Sequence, residues 1–114
     1  MALSIIEAVI LEAGELEEGV DQVLHGQIKE GEAKIDDSIE HLCALSLFYG
    51  NNHEEGDRLA HMSSDYISGK KTALADLAHE AEEIKAHPEM VVNPSKVDGD
   101  NYNVEKLMKH SRML

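Results

Sequence analysis

The chain has no tryptophan, one phenylalanine, three tyrosines and one cysteine among its 114 residues. With so few aromatic side chains, a core has to be built from Leu, Ile, Val, Ala and Met, which favours packed helices over a β-sandwich or barrel. A single cysteine excludes a disulfide within the chain and indicates a reducing compartment. Cys43 stands between apolar neighbours and is predicted to be a small buried hydrophobe rather than a nucleophile.

Basic side chains are scarce as well, with 10 Lys and Arg against 23 Asp and Glu and a formal net charge of −13. Nucleic-acid backbones and anionic membranes carry the same sign of charge, so neither is an expected partner. The charge is uneven, because residues 1–57 hold fourteen acidic residues and two lysines, whereas the last residues are basic. The expected partner is therefore another protein or a second copy of the chain.

Long apolar runs and a basic targeting segment are also missing from the sequence. The run from Ala8 to Leu11 is far too short to span a bilayer, and the first four residues carry no basic side chain. These absences predict a cytoplasmic protein, or a component of a virion that assembles in the cytoplasm.

Apolar residues recur every three or four positions and predict four helices within residues 1–87. Ser4 and Glu7 have the spacing of a capping box, Asn52 is predicted to cap the third helix, and Pro88 should end the fourth. Short turns between the helices imply antiparallel neighbours. The fold class is thus all-α and bundle-like, with a core centred on seven residues: Leu16, Val20, Ile39, Leu42, Leu59, Leu77 and Ile84.

Residues 88–114 are predicted to form a separate segment. Pro88, Asn93-Pro94 and Asp98-Gly99 exclude a continuous helix over residues 88–103, which indicates an extended connector. A short basic amphipathic helix should follow, and we expect it to dock on an acidic surface of the same chain or of a neighbouring subunit. The residues expected to bind a partner are Val104, Lys106, Leu107, Met108, Lys109 and Arg112.

Residues 19–39 resemble the inner half of a tetratricopeptide unit. The positions that carry the resemblance are Gly19, Gly26, Ile28, Gly31, Ile35, Ser38 and Ile39. The sequence departs from that motif where Gln22 replaces an aromatic residue, and no second copy follows at the repeat distance. The resemblance implies a helical hairpin with a glycine turn.

Histidines follow acidic residues at a spacing of four, in the pairs Asp21/His25, Asp37/His41, Asp57/His61 and Glu83/His87. Residues four apart share a helix face, so each pair could offer two ligands to a metal. The heptad positions point three of these pairs away from the apolar stripes, however, and the fourth lies at a helix end. We therefore predict no metal, no cofactor and no catalytic residues. The alternative hypothesis is a di-metal helical bundle with ligands among Asp37, His41, Asp57, His61, His79 and Glu83.

The predicted function is a non-enzymatic protein–protein interaction, or a structural role in a larger assembly, in its sharpest form a small viral structural protein. A second alternative is an acidic inhibitor that mimics nucleic acid. Its charge would come from the face formed by Glu12, Glu15, Glu18, Glu30, Glu32, Asp36, Asp37 and Glu40. Whether Phe48 and Tyr49 belong to the core or to a contact surface is left open by the sequence.

Overall fold

The computed structural model describes residues 3–97 and 99–113, and the side chains of residues 3–97 and 99–111. Helices α1 to α5 follow one another along the chain, and no strand occurs in those ranges. The first four form a bundle in which α1 packs against α2 and α4, and α3 packs against the same two helices. The predicted all-α fold is confirmed. The helices are α1 (Ile5–Leu24), α2 (Ile28–Tyr49), α3 (Glu54–Ile67), α4 (Ala73–Ala86) and α5 (Val104–Met113).

The closest helix pair is the α1–α2 hairpin, in which Gly19 and Gly31 face each other. A Cβ atom on Gly31 would lie 2.6 Å from the Gly19 carbonyl oxygen, and one on Gly19 would lie 2.9 Å from the Gly31 carbonyl oxygen. The missing side chains therefore let the two backbones touch. The hairpin turns at Gly26, whose φ of 90° suits glycine. A helical hairpin with a glycine turn is what the resemblance to a tetratricopeptide unit implied.

The ends of α1 and α3 show how local sequence determines helix boundaries. The Ser4 hydroxyl accepts the Glu7 N–H while the Glu7 carboxylate accepts the Ser4 N–H, so the predicted capping box is confirmed. The prediction that Asn52 caps α3 is wrong by one residue. His53 takes the cap position with a left-handed φ of 59°, and Asn52 instead accepts the first helical N–H, from Glu54.

All seven residues predicted to centre the core are buried. They pack in one cluster with apolar residues of all five helices and of the segment that follows α4. Membership in a single cluster means that the bundle and the C-terminal segment share one core. The cluster extends beyond the predicted centre to Ile5, Val9, Ala13, Ile35, Ala44, Leu45, Ala81, Val91, Val92, Leu107 and Met108.

The segment 88–103 is less extended than predicted, because two 3₁₀ turns, Pro88–Met90 and Pro94–Lys96, fold it back on the bundle. Val91 and Val92 are buried, and the Asn93 N–H donates to the Tyr49 carbonyl oxygen at 2.6 Å. Helix α5 then packs against α2. Among the described helices, none is long and apolar enough to cross a membrane.

Candidate protein-interaction surface

The outer face of α1 exposes two large apolar side chains. Ile10 and Leu11 are 39% and 46% exposed, although they lie in the middle of a helix that buries its opposite face in the core. Gly14 follows one turn later, and a Cβ atom there would meet nothing within 4 Å. We call this outward stripe the α1 ridge; it consists of Glu7, Ile10, Leu11, Gly14, Glu18 and Asp21.

A groove of about 400 Å³ runs along one side of the α1 ridge, between α1 and α2. Leu11 and Ala33 supply its apolar edge, and Glu15, Glu30 and Asp37 supply exposed or half-exposed carboxylates. Lys34 is the one lysine in the groove, and its ammonium lies 2.9 Å from Glu18 and 3.5 Å from Glu15. These contacts raise the pKa of Lys34, with the Glu18 hydrogen bond as the largest cause.

A second groove, of about 450 Å³, follows the other side of the α1 ridge toward α4. Glu17, Glu18 and Asp21 line it together with Gly14 and the exposed Leu24. Lys85 of α4 donates to Glu17 at 2.7 Å. Two lysines thus face seven exposed or partly exposed carboxylates on the ridge and in its grooves, and the surface as a whole is an apolar strip within an acidic frame.

Beneath the ridge, a buried carboxylate connects three segments of the chain. Glu12 accepts hydrogen bonds from His41 Nδ1 at 2.9 Å and from the Tyr102 hydroxyl at 2.5 Å. The predictions that Glu12 belongs to an exposed acidic face and that His41 points away from the core are both wrong. Glu12 is buried and the His41 side chain is 21% exposed, because the close α1–α2 packing turns both inward. Burial, followed by the Glu12 hydrogen bond, raises the pKa of Tyr102.

The predicted acid–histidine pairs are mostly replaced by other contacts. His25 and Asp21 do lie 3.5 Å apart, but the other three histidines have different neighbours. Within the described ranges, no group of three or more His, Cys, Asp or Glu side chains is placed to hold a metal ion. The six alternative metal ligands therefore do not converge. Besides His25 with Asp21, the observed pairs are His41 with Glu12, His53 with Asp57, His61 with Asp65, His79 with Glu83 and His87 with Glu89.

Two further polar features lie under α3. Cys43 is half-buried and its thiol donates to the Gly56 carbonyl oxygen at 3.3 Å. Burial first, and then the nearby carboxylates, raise the pKa of Cys43 to about 11, so the thiol stays protonated at neutral pH. Glu55 of α3 and Glu80 of α4 are each 5% exposed, and one carboxylate oxygen of each is buried without a hydrogen-bond partner. Burial first, and then the neighbouring Glu80 carboxyl, raise the pKa of Glu55 to about 8.

The residues predicted to bind a partner through the C-terminal helix divide into two groups. Leu107 and Met108 are 8% and 7% exposed and pack within their own chain, so they do not face outward. Val104 is partly buried, whereas Lys106 and Lys109 are exposed. The side chain of Arg112 lies outside the described residues. A role in partner binding stays a prediction for the exposed lysines.

The C-terminal segment contacts Phe48 and Tyr49, which are both partly buried against the core. The Phe48 ring lies 5.9 Å from the His110 ring, and the Tyr49 hydroxyl donates to Asp100 at 3.2 Å. The Tyr102 N–H donates to the Leu3 carbonyl oxygen, which ties the segment to the start of α1. Contacts within the chain therefore account for both aromatic residues.

The α1 ridge was not predicted from the sequence, although a signal for it was present. The run from Ala8 to Leu11 contains more consecutive apolar residues than one buried face of a helix can use. The position of the excess residues, on the exposed side, becomes clear only when the neighbours of α1 are known. No known protein family matches this chain, and neither a characterised protein nor a solved structure is similar enough to count as a relative.

Proposed function

We propose that the chain is a non-enzymatic interaction module, or a structural subunit of a larger assembly, that binds a basic helix of a partner protein across the α1 ridge. The observation that carries this proposal is the exposure of Ile10 and Leu11 at the centre of an acidic frame. Exposed apolar residues grouped within a polar rim are typical of protein-binding surfaces.

Gly14 supports the same surface. A glycine in the middle of a helix costs about 1 kcal/mol relative to alanine. Gly19 and Gly31 offset that cost through the close α1–α2 approach, but a side chain at Gly14 would meet nothing in the chain. A partner helix that crosses α1 at this point could approach closely, because Gly14 has no side chain. Ile10 and Leu11 would be its apolar contacts.

The charge around the ridge determines what kind of partner fits. Carboxylates flank Gly14 on both sides, so a basic helix is attracted and steered to the surface. Two copies of α1 packed against each other would bring like charges together, which opposes self-association through this face. A nucleic-acid mimic has no need for the exposed Ile10 and Leu11, because protein surfaces that bind nucleic acid are strongly polar and basic.

The test uses two synthetic amphipathic helices with the same apolar stripe, one with lysines on its polar face and the other with glutamates. Fluorescence anisotropy with the full chain should show saturable binding of the lysine peptide, weakened by added salt, and none of the glutamate peptide. The double substitution Ile10→Gln and Leu11→Gln should weaken binding by about tenfold or more, because two apolar contacts are lost.

Leu47→Gln is the matched control, since Leu47 is 41% exposed but lies on α2, outside both grooves. This variant should bind as the parent chain does. If the lysine peptide does not bind, or if it binds the Ile10/Leu11 variant as tightly as the parent, the proposed surface is wrong.

A further inference from the structure

A cleft of about 530 Å³ lies where the C-terminal segment meets the start of α1 and the end of α2. Ile5 and Leu107, both buried, contribute to its apolar lining, and Phe48 adds an aromatic ring. Its volume falls within the range of small-molecule sites, which is roughly 300–1,000 Å³. The cleft is separate from the α1 ridge and shares no residue with its two grooves.

Some polar groups of this cleft already form hydrogen bonds within the chain, and others do not. Asp100 accepts the Tyr49 hydroxyl, the Tyr102 hydroxyl donates to Glu12, and the Asn103 side-chain oxygen accepts the Lys106 N–H. Most of the acceptors that line the cleft are therefore occupied. What remains is mainly a set of donors: the Lys106 ammonium, the Asn101 amide and the ring of His110.

The charge of the cleft also sets it apart within an acidic chain. The two grooves beside the ridge carry an excess of carboxylates, and a third groove is lined by Glu54, Glu55 and Glu89 against Arg58 alone. In the cleft, by contrast, Lys106 balances Asp100, so its lining has no excess of carboxylates. Lys106 has no carboxylate within ion-pair distance among the described side chains, so its ammonium is available to a ligand.

We propose that this cleft binds a small carboxylic acid with an aromatic or other apolar body. The body packs against Ile5, Phe48 and Leu107, and the carboxylate meets Lys106, with Asn101 and His110 as further donors. The separation of an apolar wall from a set of free donors supports a ligand with the same two parts. Binding at this site does not depend on the proposed function of the α1 ridge.

The experiment is an NMR titration of the full ¹⁵N-labelled chain with phenylacetate. Two probes of similar size, the neutral isostere phenylacetamide and cationic 2-phenylethylamine, are titrated in parallel. Phenylacetate should cause saturable shifts at Phe48, Lys106 and His110, and it should bind more tightly than either of the other probes. Lys106→Gln should weaken phenylacetate about fivefold, which is the effect of losing one partly exposed ion pair.

Lys109→Gln is the control, because it removes the same charge from the same helix but lies outside the cleft. It should leave the affinity for phenylacetate unchanged. The proposal is overturned if phenylacetate gives no saturable shifts, or if the amine binds as tightly as the acid. It is also overturned if Lys106→Gln has no larger effect than Lys109→Gln, since the attraction would then be general rather than local.

Discussion

Gly31 is the residue at which α1 and α2 approach most closely. A Cβ atom at this position would lie 2.6 Å from both the Gly19 carbonyl oxygen and a methyl group of Val23. The Gly19 oxygen is a backbone atom, which cannot move without separating the helices. We therefore predict that Gly31→Ala lowers the free energy of unfolding by roughly 1–3 kcal/mol, measured by urea denaturation, as overpacked sites do.

Gly14→Ala serves as the comparison, because the new methyl group would meet nothing within 4 Å. Its better helix propensity should raise the free energy of unfolding by about 0.5–1 kcal/mol. Opposite signs for the two glycines would show that close packing, and not helix propensity, explains Gly31. A destabilisation by Gly14→Ala equal to that of Gly31→Ala would contradict this account.

The Glu55–Glu80 pair makes stability depend on pH. Burial first, and then the neighbouring Glu80 carboxyl, raise the pKa of Glu55 from 4.5 to about 8, and the Arg58 guanidinium only partly opposes them. A raised pKa means that the folded chain keeps a proton which the unfolded chain releases. The stabilisation is therefore complete below about pH 4.5, declines as the pH rises, and is lost above about pH 8.

We predict that Glu80→Gln weakens this dependence. The substitution takes one charge out of the buried pair, so ionisation of Glu55 costs less, while the contribution of burial to its raised pKa remains. Urea denaturation should show the variant to be more stable than the parent at pH 8.5, by roughly 1–2 kcal/mol. Glu82→Gln, an exposed change on the same helix, corrects for net charge and should leave the pH profile parallel to that of the parent. A Glu80→Gln profile parallel to that of the parent would contradict the coupling of Glu55 to Glu80.

At the scale of the helices, local signals predicted their number, their order and most of their buried faces. The Ser4–Glu7 capping box and Pro88 mark the outer ends of α1 and α4 because each acts through a few neighbouring residues. The start of α2 at Ile28 was harder to predict. Only Gly31 is buried in its first two turns, so the sequence shows no apolar stripe there. Gly31 is buried because the Gly19 backbone lies against it.

The contacts that the sequence did not predict are those between distant residues. Tyr102 and Glu12 are separated by 90 positions, and His41 and Glu12 by 29. The periodicity within a helix gives no information on such a pairing. An acidic residue beside an apolar stripe, such as Glu12, is usually exposed. The same limit applies to the α1 ridge and to the cleft, since both depend on which helices stand side by side.

Helix α5 is held to α2 mainly by the buried side chains of Leu107 and Met108. We predict that Leu107→Asp detaches this helix and leaves α1 to α4 folded, because those four helices supply most of the shared core. The loss of stability should be roughly 2–5 kcal/mol, the usual range for removing a buried leucine. Hydrogen–deuterium exchange should show lost protection in residues 104–113 and retained protection in the core of α1 and α2.

Lys109→Asp places the same acidic side chain on the exposed side of α5 and should leave the protection of this helix nearly intact. Loss of protection throughout α1 to α4 in Leu107→Asp would mean that α5 is required for the bundle to fold. The C-terminal segment would then be part of the bundle and not an element docked onto it.

At the scale of the whole molecule, the chain is small, with a radius of gyration of 13.5 Å, and carries a formal charge of −13. A charge of this size opposes self-association through repulsion and attracts a basic partner. The exposed apolar residues of the α1 ridge lie between two grooves that are lined by carboxylates. In the proposed function, charge brings the partner to the chain, and apolar contact with the ridge fixes the position at which it binds.

Binding at the α1 ridge is tested most directly by an amide NMR map of the chain in complex with the lysine-faced peptide. We expect the largest changes to follow the α1 ridge, at Ile10, Leu11, Gly14 and Glu18, and residues of α5 to change little. Changes centred on α5, or spread evenly over all acidic surfaces without a maximum on the ridge, would contradict binding at the ridge.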